Sequence, residues 1–319
     1  MVASVIWGSV VFASLIIAVF LLLVARRMLG ERRMKREGKA MLGATKDVLL
    51  RIQDLEPSAP LNHYSKAARM FAVLNLSRLL RGSERAKLME LADQDGLFDS
   101  ALRDLKSRKP RQRAQAIELL DQFESQKCVT ALRTLMANDP IYELKLAAAF
   151  TLARFGSLPS PRETISQMSL LTNENSRIHL ALFRALAPLY PTELRALLND
   201  PAYYMIKASI IDSLGWSDDL TCLAEIERAS SDADPEVRCA ALRAAGQLGQ
   251  PEAGNWIVAM LADPNVNVRI QAIRCASRLS LSQAHAQIEA LSNDPSAWVR
   301  CRADEALFAL QPVKLKARV

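Results

Sequence analysis

Three histidines and five cysteines are the side chains from which a metal or thiol chemistry would have to be assembled. His63, His179 and His285 lie far apart, and none stands in a His-x-x-x-His, His-Glu or Cys-x-x-Cys spacing that would gather metal ligands. There is no Gly-x-x-x-x-Gly-Lys loop to cradle a phosphate and no Gly-x-Ser-x-Gly elbow to present a nucleophile. The glycines fall mostly in turns, as at Gly156, Gly215 and Gly249. The expectation is a non-enzyme: no catalytic residue, no metal, no cofactor and no small-molecule substrate.

What remains for recognition is basic and aromatic. Arg113, Lys145, Arg177, Arg238, Arg269 and Arg300 recur as a row. Such a row either bonds Asp residues and helix ends of its neighbours or forms a stripe that grips acidic peptide or phosphate, so Arg238, Arg269 and Arg300 are candidate partner contacts. Among the sparse aromatics, Tyr203, Tyr204, Trp216, Trp256 and Trp298 stand out. Packing between helices accounts for most residues of this kind. Tyr203 and Tyr204 stand where an otherwise regular pattern is broken, and Trp298 lies one turn into a helix, which makes these three the candidate anchors for a partner.

The elements that hold these side chains are written seven times between Lys109 and Ala309. The copies begin at Lys109-Pro110, Asp139-Pro140, Asn173-Glu174, Asp200-Pro201, Asp234-Pro235, Asp263-Pro264 and Asp294-Pro295, with a period of 26 to 34 residues, usually near 31. Such a period marks a solenoid of paired helices. An Asp side chain accepts from free first-turn amides and Pro at N1 gives up no needed donor, so Asp-Pro is expected to open each second helix. Behind it runs an apolar stripe at helical spacing, as in Val268, Ala272, Ile273, Ala276 and Leu279, with Arg269 and Arg274 beside it. Small residues such as Ala147, Ala148, Ala208, Ser209, Cys239 and Cys301 are expected where neighbouring helices approach closely. Shorter first helices are expected at 128–137, 161–171, 192–198, 220–230, 252–261 and 282–291.

This grammar resembles the HEAT-repeat family, whose units carry an Asp-Pro turn and a Val-Arg at the head of the second helix. The match is good at Asp234-Pro235 with Val237-Arg238, Asp263-Pro264 with Val268-Arg269, and Asp294-Pro295 with Val299-Arg300. Elsewhere Lys145 stands in place of Arg, Asn173-Glu174 replaces Asp-Pro, and the fourth copy has no Arg in register. The resemblance covers about 200 of 319 residues. It implies an all-α, right-handed solenoid of about seven helix pairs and leaves activity open, because this architecture hosts many functions. HEAT-like enzymes that hydroxylate a protein lysine derivative use repeated His-Glu pairs; this chain has no His-Glu dipeptide.

At the other end, Val2 to Ala25 carries no charge, and roughly 20 apolar residues span a bilayer core. Its uncharged start and length fit an uncleaved transmembrane anchor over 1–25 better than a secretory signal peptide. Arg26, Arg27, Arg32, Arg33, Lys35, Arg36 and Lys39 follow, against Glu31 and Glu37, a net +5. Positive flanks stay cytoplasmic and contact anionic headgroups, which places the solenoid on the cytoplasmic side of the inner membrane as a single-pass protein. The irregularly spaced cysteines fit a reducing compartment. The chain's +7 falls to +2 once the flank is set aside, so its pI of 9.3 points to the membrane surface, and no nucleic-acid partner is expected.

The resulting organisation is an anchor (1–25), a basic juxtamembrane helix and hinge (26–60), a helical cap (61–95), the solenoid (96–310) and a basic tail (311–319) carrying Lys314, Lys316 and Arg318. Glu56 to Pro60 supplies the hinge. The functional expectation is a membrane-anchored scaffold that binds proteins of a membrane-associated complex. The alternatives are a HEAT-like enzyme of lyase or DNA glycosylase type, or a nucleic-acid-binding solenoid.

Overall fold

Pro110, Pro161, Pro191 and Pro235 each stand at the first position of a helix, where the missing N–H costs no hydrogen bond. Helices fill the computed structural model, which describes residues 2–171, 177–250 and 253–310, and for 2–19, 25, 29–33 and 310 the backbone alone. No strand occurs among the described residues, so the fold is all-α. The tail at 311–319 lies outside them.

The chain divides into two units, Met1–Cys128 and Val129–Val319. In the first, α1 (Val2–Ile52) is one unbroken helix that joins the leader to the juxtamembrane segment. α2 (Lys66–Leu79), α3 (Gly82–Gln94), α4 (Leu97–Asp104) and α5 (Pro110–Leu120) follow. Ala44, Val48 and Ile52, four residues apart on one helix face, are buried, and α1 packs chiefly on α2. Asp47 on that face fastens the segment expected as a hinge. Its carboxylate accepts from the Ser58 and Ala59 amides at 2.9 and 3.0 Å and from the Tyr64 hydroxyl at 2.7 Å. Burial opposes ionisation of Asp47, but these hydrogen bonds outweigh it and hold the carboxyl below its usual range. Among the described residues no helix is long and apolar enough to cross a membrane. Most side chains of the expected anchor lie outside the described ones; within it, Phe20, Leu21, Leu22, Leu23 and Val24 are all exposed.

The second unit alternates shorter and longer helices. The shorter are α8 (Pro161–Gln167), α10 (Pro191–Leu197), α12 (Leu223–Ala229), α14 (Gly254–Ala259) and α16 (His285–Ala290). The longer are α7 (Tyr142–Arg154), α9 (Arg177–Leu186), α11 (Lys207–Leu214), α13 (Pro235–Leu248), α15 (Val266–Arg278) and α17 (Ala297–Leu310). α6 (Gln126–Asn138), which carries the division, precedes them with the same length as α7. Each of α7, α9, α11, α13, α15 and α17 packs on the next in chain order, which is the stacking of a repeat array. Ala240, Ala241, Ala244, Ala245, Ala272 and Ala276 are fully buried in that seam. Gly215 belongs there rather than in a left-handed turn: its φ is −62°, and a Cβ on it would lie 2.6 Å from Ala244 Cα. Cys301, expected at a helix contact, is exposed.

The Asp-Pro expectation needs correction at four copies, and at Asp200 the side chain caps the 3-10 turn Pro201–Ile206 while α11 starts only at Lys207. Asp234 does cap α13, accepting from the Glu236 amide with Pro235 at N1. At Asp139, Asp263 and Asp294 the helix starts later, at Tyr142, Val266 and Ala297. There the Asp side chain closes a turn onto the amide two residues on, at 2.9 Å for Ile141 and 2.8 Å for Asn265 and Ser296. Asp232 makes the same turn onto Asp234 at 2.9 Å. Asp232 is therefore the structural equivalent of Asp263 and Asp294. Pro264 also pushes Asp263 into extended backbone, and this ends the preceding 3-10 turn Met260–Ala262.

Candidate functional site

The basic row turns inward. Arg238 donates Nε and Nη2 to the two carboxylate oxygens of Asp263 at 2.8 and 3.0 Å, and Nη1 to the Asp232 carbonyl at 2.8 Å. Arg269 repeats this on Asp294 at 2.8 and 3.0 Å and on the Asp263 carbonyl at 2.8 Å. The fork geometry of guanidinium suits this two-oxygen grip. The fourth copy, which has no Arg in register, supplies Lys207 instead, and it pairs with Asp232. The 3-10 turn Pro201–Ile206 delays the start of α11 and hides that register in the sequence. Burial works against ionised Asp294, yet the Arg269 hydrogen bond and the Ser296 amide keep its carboxyl below the usual range; Lys207 and the Asp234 amide do the same for Asp232. Arg300, in the last copy, bonds the Asp294 and Pro295 carbonyls at 2.8 and 3.1 Å. Lys145 donates to the Gln167 carbonyl and Arg113 to the Ser107 carbonyl, while Arg177 opens α9 with its side chain exposed.

The aromatic candidates face outward. Tyr203 lies under Arg162, whose guanidinium sits 5.4 Å from the ring centroid and donates to its hydroxyl at 3.2 Å. Held this way, Tyr203 leaves Tyr204 and Met205 projecting, 57% and 70% exposed. A cavity of about 270 Å³ opens beside them, lined by Leu197, Asp200 and Lys207. Trp298 is 73% exposed and shares α17 with Phe308, which is 80% exposed. They are ten residues apart in sequence and separate from the Tyr204 turn. Of the proposed lipid contacts, Arg26, Arg27, Lys35 and Arg36 are exposed along α1; the side chains of Arg32 and Arg33 lie outside the described residues.

One site was missed. A cleft of about 290 Å³ lies on α9, α11, α13 and α15, lined by Arg184, Asp212, Trp216, Arg243, Gln247, Gln271, Arg274 and Arg278. Asp212, 1% exposed, is shared between Arg184 Nε at 2.8 Å and Arg243 Nε. Arg243 also reaches Glu236 at 2.8 Å, and Arg184 stacks 5.2 Å from the centroid of Trp216. Arg278 donates to Gln247 at 2.7 Å. A signal existed: Asp212, Arg243, Arg274 and Glu305 stand 31 residues apart, at one repeat position. This position lies outside the Val-Arg register, five residues after each of Arg238 and Arg269.

Among the described residues no cluster of His, Cys, Asp and Glu could hold a metal ion. Residues 224–308 match the family model for HEAT repeats. This segment is built of HEAT repeats. It contains α13 to α16 and most of α17, together with both bidentate pairs of the ladder. No curated protein matches the chain. Human deoxyhypusine hydroxylase, solved in complex with glycerol, is similar at 14% identity over 87% of this chain and 98% of its own, with a TM-score of 0.34. A crystal structure of an engineered protein is similar at 14% identity over 77% of this chain and 80% of its own, with a TM-score of 0.35. Likenesses of that size carry no argument about activity.

Proposed function

We propose that this chain is a membrane-tethered scaffold whose right-handed HEAT-like solenoid docks proteins of a membrane-associated complex. The reading rests above all on where the array spends its polar and aromatic groups. Arg238 and Arg269, the cations that define the repeats, are engaged inside the array, whereas Tyr204, Met205 and Trp298 project from it. Large exposed aromatics on a rigid helical framework are the usual anchors of a protein interface. A repeat array offers an extended surface for them, and a bilayer tether raises the local concentration of whatever it holds.

The tether is the leader. Its uncharged stretch precedes a net +5 flank, and Phe20 to Val24 stand uncovered by protein. This supports one span with the solenoid on the cytoplasmic side of the inner membrane. Alkaline extraction of native membranes tests it: an anchored chain stays in the pellet, and a chain released to the supernatant by high salt or alkali refutes the span. Partner recovery by covalent capture from the same membranes tests the docking role, with Tyr204→Ala as the diagnostic variant.

A further inference from the structure

The cleft on α9, α11, α13 and α15 holds more positive charge than its own carboxylate neutralises. Arg184, Arg243, Arg274 and Arg278 line it against Asp212, with Glu236 paired to Arg243 at its edge, an excess of two charges. Asp212 is buried and already divided between Arg184 and Arg243. Arg278 is turned to a neutral amide, Gln247. Arg274 is exposed and has no hydrogen bond or ion pair to any described residue. Arg184 uses Nε on Asp212, and its terminal nitrogens meet no described acceptor. Two guanidinium groups therefore present open donors across one cavity, and the indole of Trp216 supplies an apolar wall under one of them.

The surroundings decide what kind of anion fits. From Val129 to Val319 the chain has 19 basic and 20 acidic residues, so the cleft is a local basic spot on a neutral unit. A polyanion that tracks a surface needs an extended basic path to displace its counterions. Here the repeat position of Arg243 and Arg274 turns acidic at its next copy, Glu305, so the basic path is short. A run of one or two carboxylates flanked by apolar side chains matches that pattern, with carboxylate on the forks and hydrocarbon against Trp216.

We infer that this cleft receives an acidic peptide segment of a docked partner, its Asp or Glu carboxylates held by Arg274 and Arg184. The inference rests on the docking reading above and names the chemistry of one contact. The test is fluorescence anisotropy of a short labelled peptide of alternating glutamate and leucine with the full chain in detergent micelles at low salt. Arg274→Glu is expected to weaken binding at least about tenfold, because a like charge replaces the fork. Arg274→Lys should weaken it less, and Arg228→Glu, an exposed substitution on α12, should leave it unchanged. Because Arg274 makes no described polar contact, an unchanged melting temperature is expected for its variants, and Trp216→Leu provides an independent second loss.

The inference fails if the wild-type chain does not bind the peptide or if Arg274→Glu binds it as the wild type does. It fails equally if inorganic phosphate or a single-stranded oligonucleotide of matched charge displaces the peptide more readily than unlabelled peptide does. The docking reading is separable: partner capture that persists in Arg274→Glu but is lost in Tyr204→Ala leaves that reading standing while removing this one.

Discussion

Arg238 reaches 25 residues forward to grip both carboxylate oxygens of Asp263, and Asp263 uses one of those oxygens to close the turn onto the Asn265 amide. One carboxylate thus sets the spacing between two repeats and the start of a helix. Arg269 and Asp294 repeat the arrangement.

Asp263→Ala should therefore be among the most damaging single substitutions in this unit. Both side chains of the pair are mostly buried, 13% and 9% exposed, and removing one partner leaves an uncompensated charge at a cost of about 3 kcal/mol. Asp263→Asn keeps an acceptor for the turn and should cost less. Chemical denaturation of the two variants measures the difference; equal stability for both and the wild type would show that the pair contributes nothing.

Acid should dissolve the ladder. Asp232 and Asp294 are held below the ordinary carboxylate range, so the stability they provide is present above their unfolded value of about 3.9 and is lost as pH falls through the depressed folded values. Urea midpoints measured from pH 5 downward should drop in that window. Lys207→Met removes the largest cause holding Asp232 down and should flatten the drop; an unaltered slope would contradict the assignment.

Much of this array is legible in sequence because each repeat carries its own instructions. The 31-residue spacing, the alanine seam and the Val-Arg heads at Arg238, Arg269 and Arg300 all follow from local pattern. The register of the turns was harder to read. Asp234-Pro235 looks equivalent to Asp263-Pro264, but Asp232 is the true counterpart, since equivalence is defined by which carbonyl the next arginine reaches. Lys207 was hidden for the same reason, behind a 3-10 turn whose extra residues shift the count. The Arg184–Asp212–Arg243 cluster joins residues 28 and 31 apart on three helices, and only stacking brings them together. Exposure of Trp298 was equally illegible, because a stripe of helical spacing does not say which aromatic beside it is left uncovered.

Gly215 predicts a steric effect. A methyl group there would meet the Ala244 backbone at 2.6 and 2.8 Å, so Gly215→Ala forces α11 away from α13 and should cost about 1–3 kcal/mol. At Gly246 the nearest atom is Cys275 Sγ at 3.3 Å, and a small side-chain shift relieves it. Gly246→Ala should be the milder of the two in thermal unfolding; the reverse order would contradict the packing described.

Cysteine reactivity should separate the last helix from the rest. Burial pushes the thiols of Cys128 and Cys275 up to about 12 and that of Cys239 to about 11, and it raises Cys222 as well. Cys301 is exposed. Native protein treated with a maleimide near neutral pH should therefore label quickly at one thiol, and Cys301→Ser should abolish that fast phase. Several fast thiols would mean that the alanine-rich seam opens readily.

The docking role is tested most directly by photo-crosslinking in native membranes from probes placed at positions 204 and 298, with position 241, buried in the seam, as the control. Adducts with the same defined proteins are expected from the two exposed positions and not from 241, and their yield should fall sharply when the other anchor, Trp298 or Tyr204, is changed to Ala. Adducts absent from both exposed positions, or undiminished in the alanine variants, would contradict a scaffold that binds through these aromatics.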